Sequence, residues 1–294
     1  MTNLNMALET AHGVSSASEL ISFNKIPNEI ISTILLLSMP DHKNDDLPRS
    51  VSMVCKRWKD VVFSTPFAWS NIHITDYSIL PRIRRCLERS RNVPLLIEVA
   101  TNVVQHSSSF LEVVRILAPH TDRWKNMTLA MDHRYASWNL WLKLTNGPGA
   151  SYSQLEVIKI CGTDLYVDEE RRSMDILDMP RLRSVDLQCV PSAFLRPFLS
   201  PTVKTIMLAG IWASTDVICH AISHCSELAS LSITGCHLPE SITIPRSSTS
   251  LFTPNRDAGE YIIFPNLTNI GFGGSEWNDF FIRIKAPSLN GLTS

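Results

Sequence analysis

The sequence lacks an excess of charge of either sign. Its 294 residues include 27 Lys plus Arg and 28 Asp plus Glu, a formal net charge of −1, without a long block of like charges. Composition therefore offers no electrostatic reason to expect nucleic acid or an anionic membrane surface as a partner. No apolar run approaches the roughly 18 residues that a membrane-spanning helix needs. The 44% hydrophobic content is instead typical of a chain with a sizeable globular core.

The seven cysteines do not form a disulfide framework, because their number is odd and their spacing irregular. Several stand inside apolar patterns, which predicts buried thiols in a reducing compartment. The N-terminal stretch MTNLNMALETAHGVSS has neither a basic start nor an apolar centre, so we expect no signal peptide. These features together predict a location in the cytoplasm or the nucleus.

Signatures of catalysis are missing as well. There is no Gly-x-Ser-x-Gly elbow, and Gly271 to Gly274 follow a strand pattern without the rest of a phosphate-binding loop. One group of cysteines and histidines resembles a metal site, but Cys219 and Cys225 would lie on different faces of a helix. We therefore predict no catalytic residue, no cofactor and no metal. The full group of cysteines and histidines comprises Cys219, His220, His224, Cys225, Cys236 and His237.

The stretch from Ile26 to Trp69 predicts two or three short helices. Asn24 is a candidate N-cap, with Pro27 expected in the first turn of a helix whose apolar stripe is wide. A second run, CKRWKDVVFSTPFAW, also has helical periodicity. So many large apolar residues in so few positions predict that these helices require a partner surface.

A strand-like unit recurs over the rest of the chain. Its template is an apolar residue, two others, an apolar residue, one other and an apolar residue, as in Leu155-x-x-Ile158-x-Ile160. Most copies are separated by roughly 20–29 residues, the period of leucine-rich repeats. The template predicts parallel strands that stack as neighbours. Further copies begin at Trp124, Leu182, Val203, Leu228 and Leu267, and a partial one at Leu289.

The helical stretch resembles an F-box, the adaptor-binding module of SCF ubiquitin ligases. The resemblance rests on Ile-Pro-x-Glu-Ile-Ile from Ile26, Val-x-x-Val-Cys-Lys-Arg-Trp-x-x-Val-Val from Val51, and Thr-Pro-x-x-Trp from Thr65. The later repeats resemble the irregular leucine-rich repeats that often follow an F-box in fungal proteins. The predicted fold class is α+β, a small helical F-box followed by an irregular leucine-rich-repeat α/β solenoid. The predicted divisions are a loose tail (1–22), the F-box (23–72) and a solenoid (73–294) that ends inside a repeat.

The resemblance implies a substrate-recognition subunit of an SCF-type ligase, which is not itself an enzyme. Its F-box would dock on a Skp-type adaptor and so on a cullin–RING core, while the repeats would bind an unidentified protein target. The alternative is a non-catalytic repeat scaffold whose F-box-like helices only cap the solenoid. The expected adaptor contacts are Ile26, Pro27, Ile30, Ile34, Val51, Val54, Cys55, Trp58 and Val61.

Two further groups have open interpretations. Trp212, Phe252 and Trp277 follow strands or lie in loops, where they would either contact the target or be buried rings. Five arginines cluster between Arg82 and Arg91, and they form either a solvated helix face or a partner-binding patch.

Overall fold

The structure is a computed structural model. It describes residues 26–38, 47–75, 80–101, 107–131, 151–161, 178–190, 195–211, 213, 215–235, 262–273, 284–289 and 291–293. The helices of these ranges are α1 (Asn28–Leu37), α2 (Leu47–Ser52), α3 (Lys56–Ser64), α4 (Leu80–Arg89), α5 (Ser107–Leu117) and α6 (Thr215–Ile222). Short 3₁₀ segments cover Pro66–Trp69, Ala118–Arg123 and Arg196–Phe198. None of the described helices is long and apolar enough to cross a membrane.

The strands form one large parallel sheet. They are β1 (Asn71–Ile74), β2 (Leu95–Thr101), β3 (Trp124–Met131), β4 (Val157–Cys161), β5 (Ser184–Gln188), β6 (Thr205–Ala209), β7 (Ser230–Thr234), β9 (Asn269–Gly273) and β11 (Gly291–Thr293). Their spatial order follows the chain, with β9 beside β7 and β11 beside β9. A separate pair consists of β8 (Ile262–Ile263) and β10 (Ile284–Lys285).

One face of the sheet is buried along its length. In β4, for example, Ile158 and Ile160 are buried while Val157, Lys159 and Cys161 are half-buried. This alternation follows from the strand period of two, which directs successive side chains to opposite faces. Because the register from β3 to β9 is unshifted, the buried residues line up in rows and form a continuous core.

The fold class predicted from the sequence is wrong. The chain is not an α+β protein with a helical F-box followed by a leucine-rich-repeat solenoid. It is an α/β protein built on one mostly parallel sheet, with few helices in the described residues. The return from β5 to β6, for example, has only the 3₁₀ segment Arg196–Phe198 among its described residues. The apolar template locates the strands, because strand periodicity is a local property of the sequence. It does not specify the structure of the connections that pack against the sheet.

Individual elements were predicted more accurately than the class. The apolar patterns at 72–74 and 94–99 predict two short strands, and strands occur there and at the template copies. Helical periodicity in the sequence also predicts helices over 79–90, 107–117 and 216–225, and these correspond to α4, α5 and α6. The predicted tail (1–22) lies outside the described residues, and so does 135–144, where the sequence YASWNLWLKL predicts a further helix. The boundary near residue 72 stays a prediction.

Three successive strands end in a residue with left-handed backbone conformation. Cys189 (φ 52°), Gly210 (φ 62°) and Gly235 (φ 57°) follow β5, β6 and β7. Their amides extend the ladder: Cys189 donates to the Ala209 carbonyl (2.7 Å), Gly210 to the Thr234 carbonyl (2.9 Å) and Gly235 to the Gly273 carbonyl (3.4 Å). Left-handed backbone favours glycine, since a Cβ meets the following carbonyl oxygen. Cys189 is therefore a strained member of this series.

Candidate partner-docking surface

The wide apolar stripe of α1 is divided between the core and solvent. Ile31 and Leu35 are buried against the rest of the protein. Ile30, Ile34 and Leu37 share another flank, at i, i+4 and i+7, and all three are exposed. The stripe is wider than the contact that α1 makes with its own chain, so its outer part is left for solvent or a partner.

The N-terminus of α1 is held by an arginine from α3. The helix begins at Asn28, so Pro27 stands before its first turn, not within it as predicted, and makes no side-chain cap. The Arg57 Nε donates to Asn28 Oδ1 (2.9 Å), and its terminal nitrogen donates to the carbonyl of Ile26. These charge-assisted hydrogen bonds tie the start of α1 to α3, but they do not cap the free N–H groups of its first turn, because a guanidinium only donates.

The remaining helical elements are anchored inward through α3 and Trp69. Val61 and Val62 are buried, and Trp69 donates its indole N–H to the Val62 carbonyl (3.0 Å). The next residue, Ser70, accepts a hydrogen bond from the amide of Leu96 in β2 (3.0 Å). The helical stretch is therefore joined to the sheet by backbone as well as by apolar packing.

The nine predicted adaptor contacts do not share one environment. Those exposed to solvent are Pro27, Ile30, Ile34, Val54 and Cys55. Ile26, Val51 and Trp58 are half-buried and pack against the core, and Val61 lies inside it. The exposed and half-buried members can meet another protein without rearrangement. Val61 supports the fold of α3 in the conformation described.

Exposed apolar side chains are concentrated in this helical stretch. Among the described residues, eight of the eleven large exposed hydrophobic side chains fall between residues 30 and 67. We call these eight the apolar surface: Ile30, Ile34, Leu36, Leu37, Met53, Val54, Phe63 and Phe67. Concentration of this kind is typical of interaction sites, whereas scattered single residues need no explanation.

Phe63 of the apolar surface lies among cations. Its ring lies 5.8 Å from that of Trp69, centroid to centroid. The Arg89 guanidinium of α4 lies 4.0 Å from the Phe63 centroid and 4.4 Å from that of Trp69. On α3, the Lys59 Nζ is 5.6 Å from the Phe63 centroid. These distances fall within cation–π range and connect α3 to α4.

On the face of the sheet opposite the buried one, charged side chains stand at the middle position of several strands and form a row across them. Glu98 pairs with His73 at 3.7 Å, and Lys159 pairs with Asp186 at 2.8 Å. The hydrogen bond that Lys159 donates to the Asp186 carboxylate is the main cause that raises the pKa of Lys159. Since each pair joins neighbouring strands, the row stabilises register and presents mixed charge rather than one sign.

The cysteine and histidine group has no metal geometry in the described part of the chain. Cys219 and Cys225 are buried, and burial raises the pKa of Cys225 to about 12. His220 and His224 contact each other edge to face, with centroids 5.5 Å apart. The described residues contain no set of three candidate metal ligands. Cys236 and His237 lie outside those residues.

The three predicted target contacts, Trp212, Phe252 and Trp277, also lie outside the described residues. Their role stays a prediction.

Sequence reasoning missed Arg57 and Arg89 as organising residues. In the sequence, Arg57 is one of several charged residues on the polar face of a predicted helix, and Arg89 is one member of the arginine cluster. Arg57 contacts Asn28, which is 29 residues away in the sequence, and Arg89 contacts Phe63, which is about as distant in the sequence. No local sequence pattern therefore indicates either contact. A signal did exist for the left-handed turns. Gly210 and Gly235 each stand two residues after the last apolar residue of a template copy.

No protein-family model matches the chain, and no curated protein matches it significantly.

Proposed function

We propose that this chain is a substrate-recognition subunit of an SCF-type cullin–RING ubiquitin ligase, acting in the cytoplasm or nucleus. Its helical stretch docks on a Skp-type adaptor, and the sheet carries the surface that holds a target protein. Ubiquitin transfer belongs to other subunits. This chain contributes by holding the target close to the conjugating enzyme, which is catalysis by proximity.

The observation that carries the proposal is the position of the apolar surface. It occupies the same stretch whose residues resemble an F-box. Burying one such side chain completely stabilises a complex by roughly 1.5–3 kcal/mol. A few of them, covered together, are enough to dominate a protein interface.

The scaffold alternative has its own supporting observation. Ile31, Leu35, Val62 and Trp69 lie in the same apolar core as the first strands, so the helices also cover that end of the sheet. In this alternative, covering the sheet is their whole role. The two functions differ in one requirement, since only the receptor needs the outward side chains of α1 and of the turn before α3.

Two matched pairs of substitutions test this requirement. Ile34→Glu with Val54→Glu places charges on side chains that are 41% and 63% exposed. Met207→Glu with Ile263→Glu does the same elsewhere, at 42% and 63% exposure. Each chain is co-expressed with a Skp-type adaptor, and complex formation is measured by size-exclusion chromatography and by titration of the purified partners.

The receptor function predicts a complex with the wild-type chain and with the Met207/Ile263 variant. The Ile34/Val54 variant should bind at least about 30-fold more weakly, equivalent to about 2 kcal/mol. Circular dichroism confirms that both variants remain folded. A folded wild-type chain that does not bind the adaptor would exclude the receptor function and leave the scaffold.

A further inference from the structure

The arginine cluster of α4 divides into two flanks with different neighbours. Arg82, Arg85 and Arg89 stand at i, i+3 and i+7 and therefore share one flank of the helix. Arg84 is on the opposite flank, where it pairs with Glu112 of α5. The cluster is thus not one uniform solvated face. Arg84 of one flank is paired within the chain, and Arg89 of the other flank contacts the helical stretch.

That second flank meets α3 at Phe63. Arg89 covers the rings of Phe63 and Trp69, and Lys59 lies on α3 beside the same Phe63 ring. Lys56 precedes Lys59 by three residues and is exposed on the same face of α3. We call Lys56, Lys59, Arg85 and Arg89 the basic belt. It borders the apolar surface at Phe63, a member of that surface.

The basic belt is only partly compensated by acidic side chains of its own two helices. Those helices contain two carboxylates, Asp60 on α3 and Glu88 on α4. Asp60 stands four residues after Lys56 and Glu88 three residues after Arg85, so two carboxylates lie near the four cations and leave an excess of two positive charges. Like charges at such spacing repel one another, although the chain as a whole is almost neutral. Carboxylates from another molecule would relieve that repulsion.

We propose that the basic belt binds an acidic segment of the same adaptor protein that docks on the apolar surface. The inference rests on the proposed function and assigns the chemistry of the partner beside Phe63. The segment places carboxylates against Lys59 and Arg85, and the adjoining apolar contact covers the exposed edge of Phe63. A basic or neutral adaptor surface would not fit this position.

Charges at the rim of an interface act mainly on the rate of association. They attract the partner before contact and lose their effect as salt screens them. The apolar surface, in contrast, is expected to set the rate of dissociation. The inference and the proposed function therefore predict changes in different rate constants.

The test measures adaptor association by stopped-flow fluorescence at low and at physiological salt. The variant is Lys59→Glu with Arg85→Glu, both on exposed side chains, leaving Arg89 in its aromatic contact. The control is Arg183→Glu with Arg196→Glu, which makes the same change of charge. These two exposed arginines lie outside the helical stretch, one just before β5 and one at the start of the 3₁₀ segment that follows it. Circular dichroism and thermal melting establish that both are folded.

We expect the association rate of the Lys59/Arg85 variant to fall about tenfold at low salt, with a weaker salt dependence and a nearly unchanged dissociation rate. The Arg183/Arg196 control should keep the wild-type rate within about twofold. Equal rates for the variant and the control would overturn the inference while leaving the receptor function intact. A wild-type chain that does not bind the adaptor at all would reject both.

Discussion

Replacement of Gly210 by alanine tests the left-handed turns at the ends of the strands. An added Cβ at this position would lie 2.8 Å from the Cys189 Sγ, closer than such atoms approach, in a backbone with φ of +62°. Gly235 has nearly the same φ, +57°, but its added Cβ would meet only the Gly210 nitrogen at 3.8 Å, an ordinary contact. The two glycines therefore share a backbone requirement and differ in one steric contact.

The expected magnitudes follow from these two terms. Left-handed backbone costs a non-glycine residue roughly 1–2 kcal/mol, and the reduced freedom of the unfolded chain returns roughly 0.4–1 kcal/mol. Gly235→Ala should thus lower the free energy of unfolding by about 1 kcal/mol. Gly210→Ala adds the contact with sulfur, for which overpacking data suggest a further 1–3 kcal/mol or so.

The assay is urea unfolding followed by tryptophan fluorescence and by circular dichroism, with the midpoint and slope compared among variants. A second background, Cys189→Ala, removes the sulfur and retains the turn. In that background Gly210→Ala should cost only what Gly235→Ala costs, so the pair couples in a double-mutant cycle. Equal losses for Gly210→Ala and Gly235→Ala in the wild-type background would refute the steric argument.

Two other predictions concern the helical stretch and the buried thiols. Arg57→Ala should remove the hydrogen bond to Asn28 and destabilise the start of α1 by about 1–2 kcal/mol. The measurement is hydrogen exchange, which should become faster in α1. The control Arg196→Ala, at an exposed position, should leave the exchange rate of α1 unchanged. Burial raises the pKa of Cys225 from 9.0 to about 12, so its neutral form stabilises the fold fully below pH 9, and this contribution is lost as the pH rises toward 12. Unfolding titrations between these pH values should show a shallower decline for Cys225→Ala, and an identical decline would contradict the assignment.

The sequence predicted the individual strands and helices better than it predicted how they are arranged in the fold. The positions of Ile158 and Ile160, two residues apart, predict a strand, because side-chain direction alternates within the strand itself. The period of three to four in α4 predicts a helix for the same local reason. The fold class was wrong because it depended on what covers the sheet and on how the helices join it. Those are contacts between segments, and the template does not encode them.

The candidate site was predictable only in part. The sequence identified the stretch with the apolar surface, since its hydrophobic content exceeds what short helices bury by themselves. The apolar stripe by itself does not distinguish Ile34, which is exposed, from Leu35, which is buried; only the F-box resemblance singled out Ile34. Adjacent residues on a wide stripe look alike until the neighbouring element is placed.

The sequence alone determined where strands and helices form and which stretch is unusually apolar, because periodicity and composition act over a few residues. Only the tertiary structure decided which flank of α1 faces outward, that Arg57 holds its first turn, and that Arg89 joins α4 to Phe63. Each of these depends on groups about 30 residues apart in the chain. They meet because the parallel sheet and its shared core bring distant segments together, and that arrangement is a property of the whole chain.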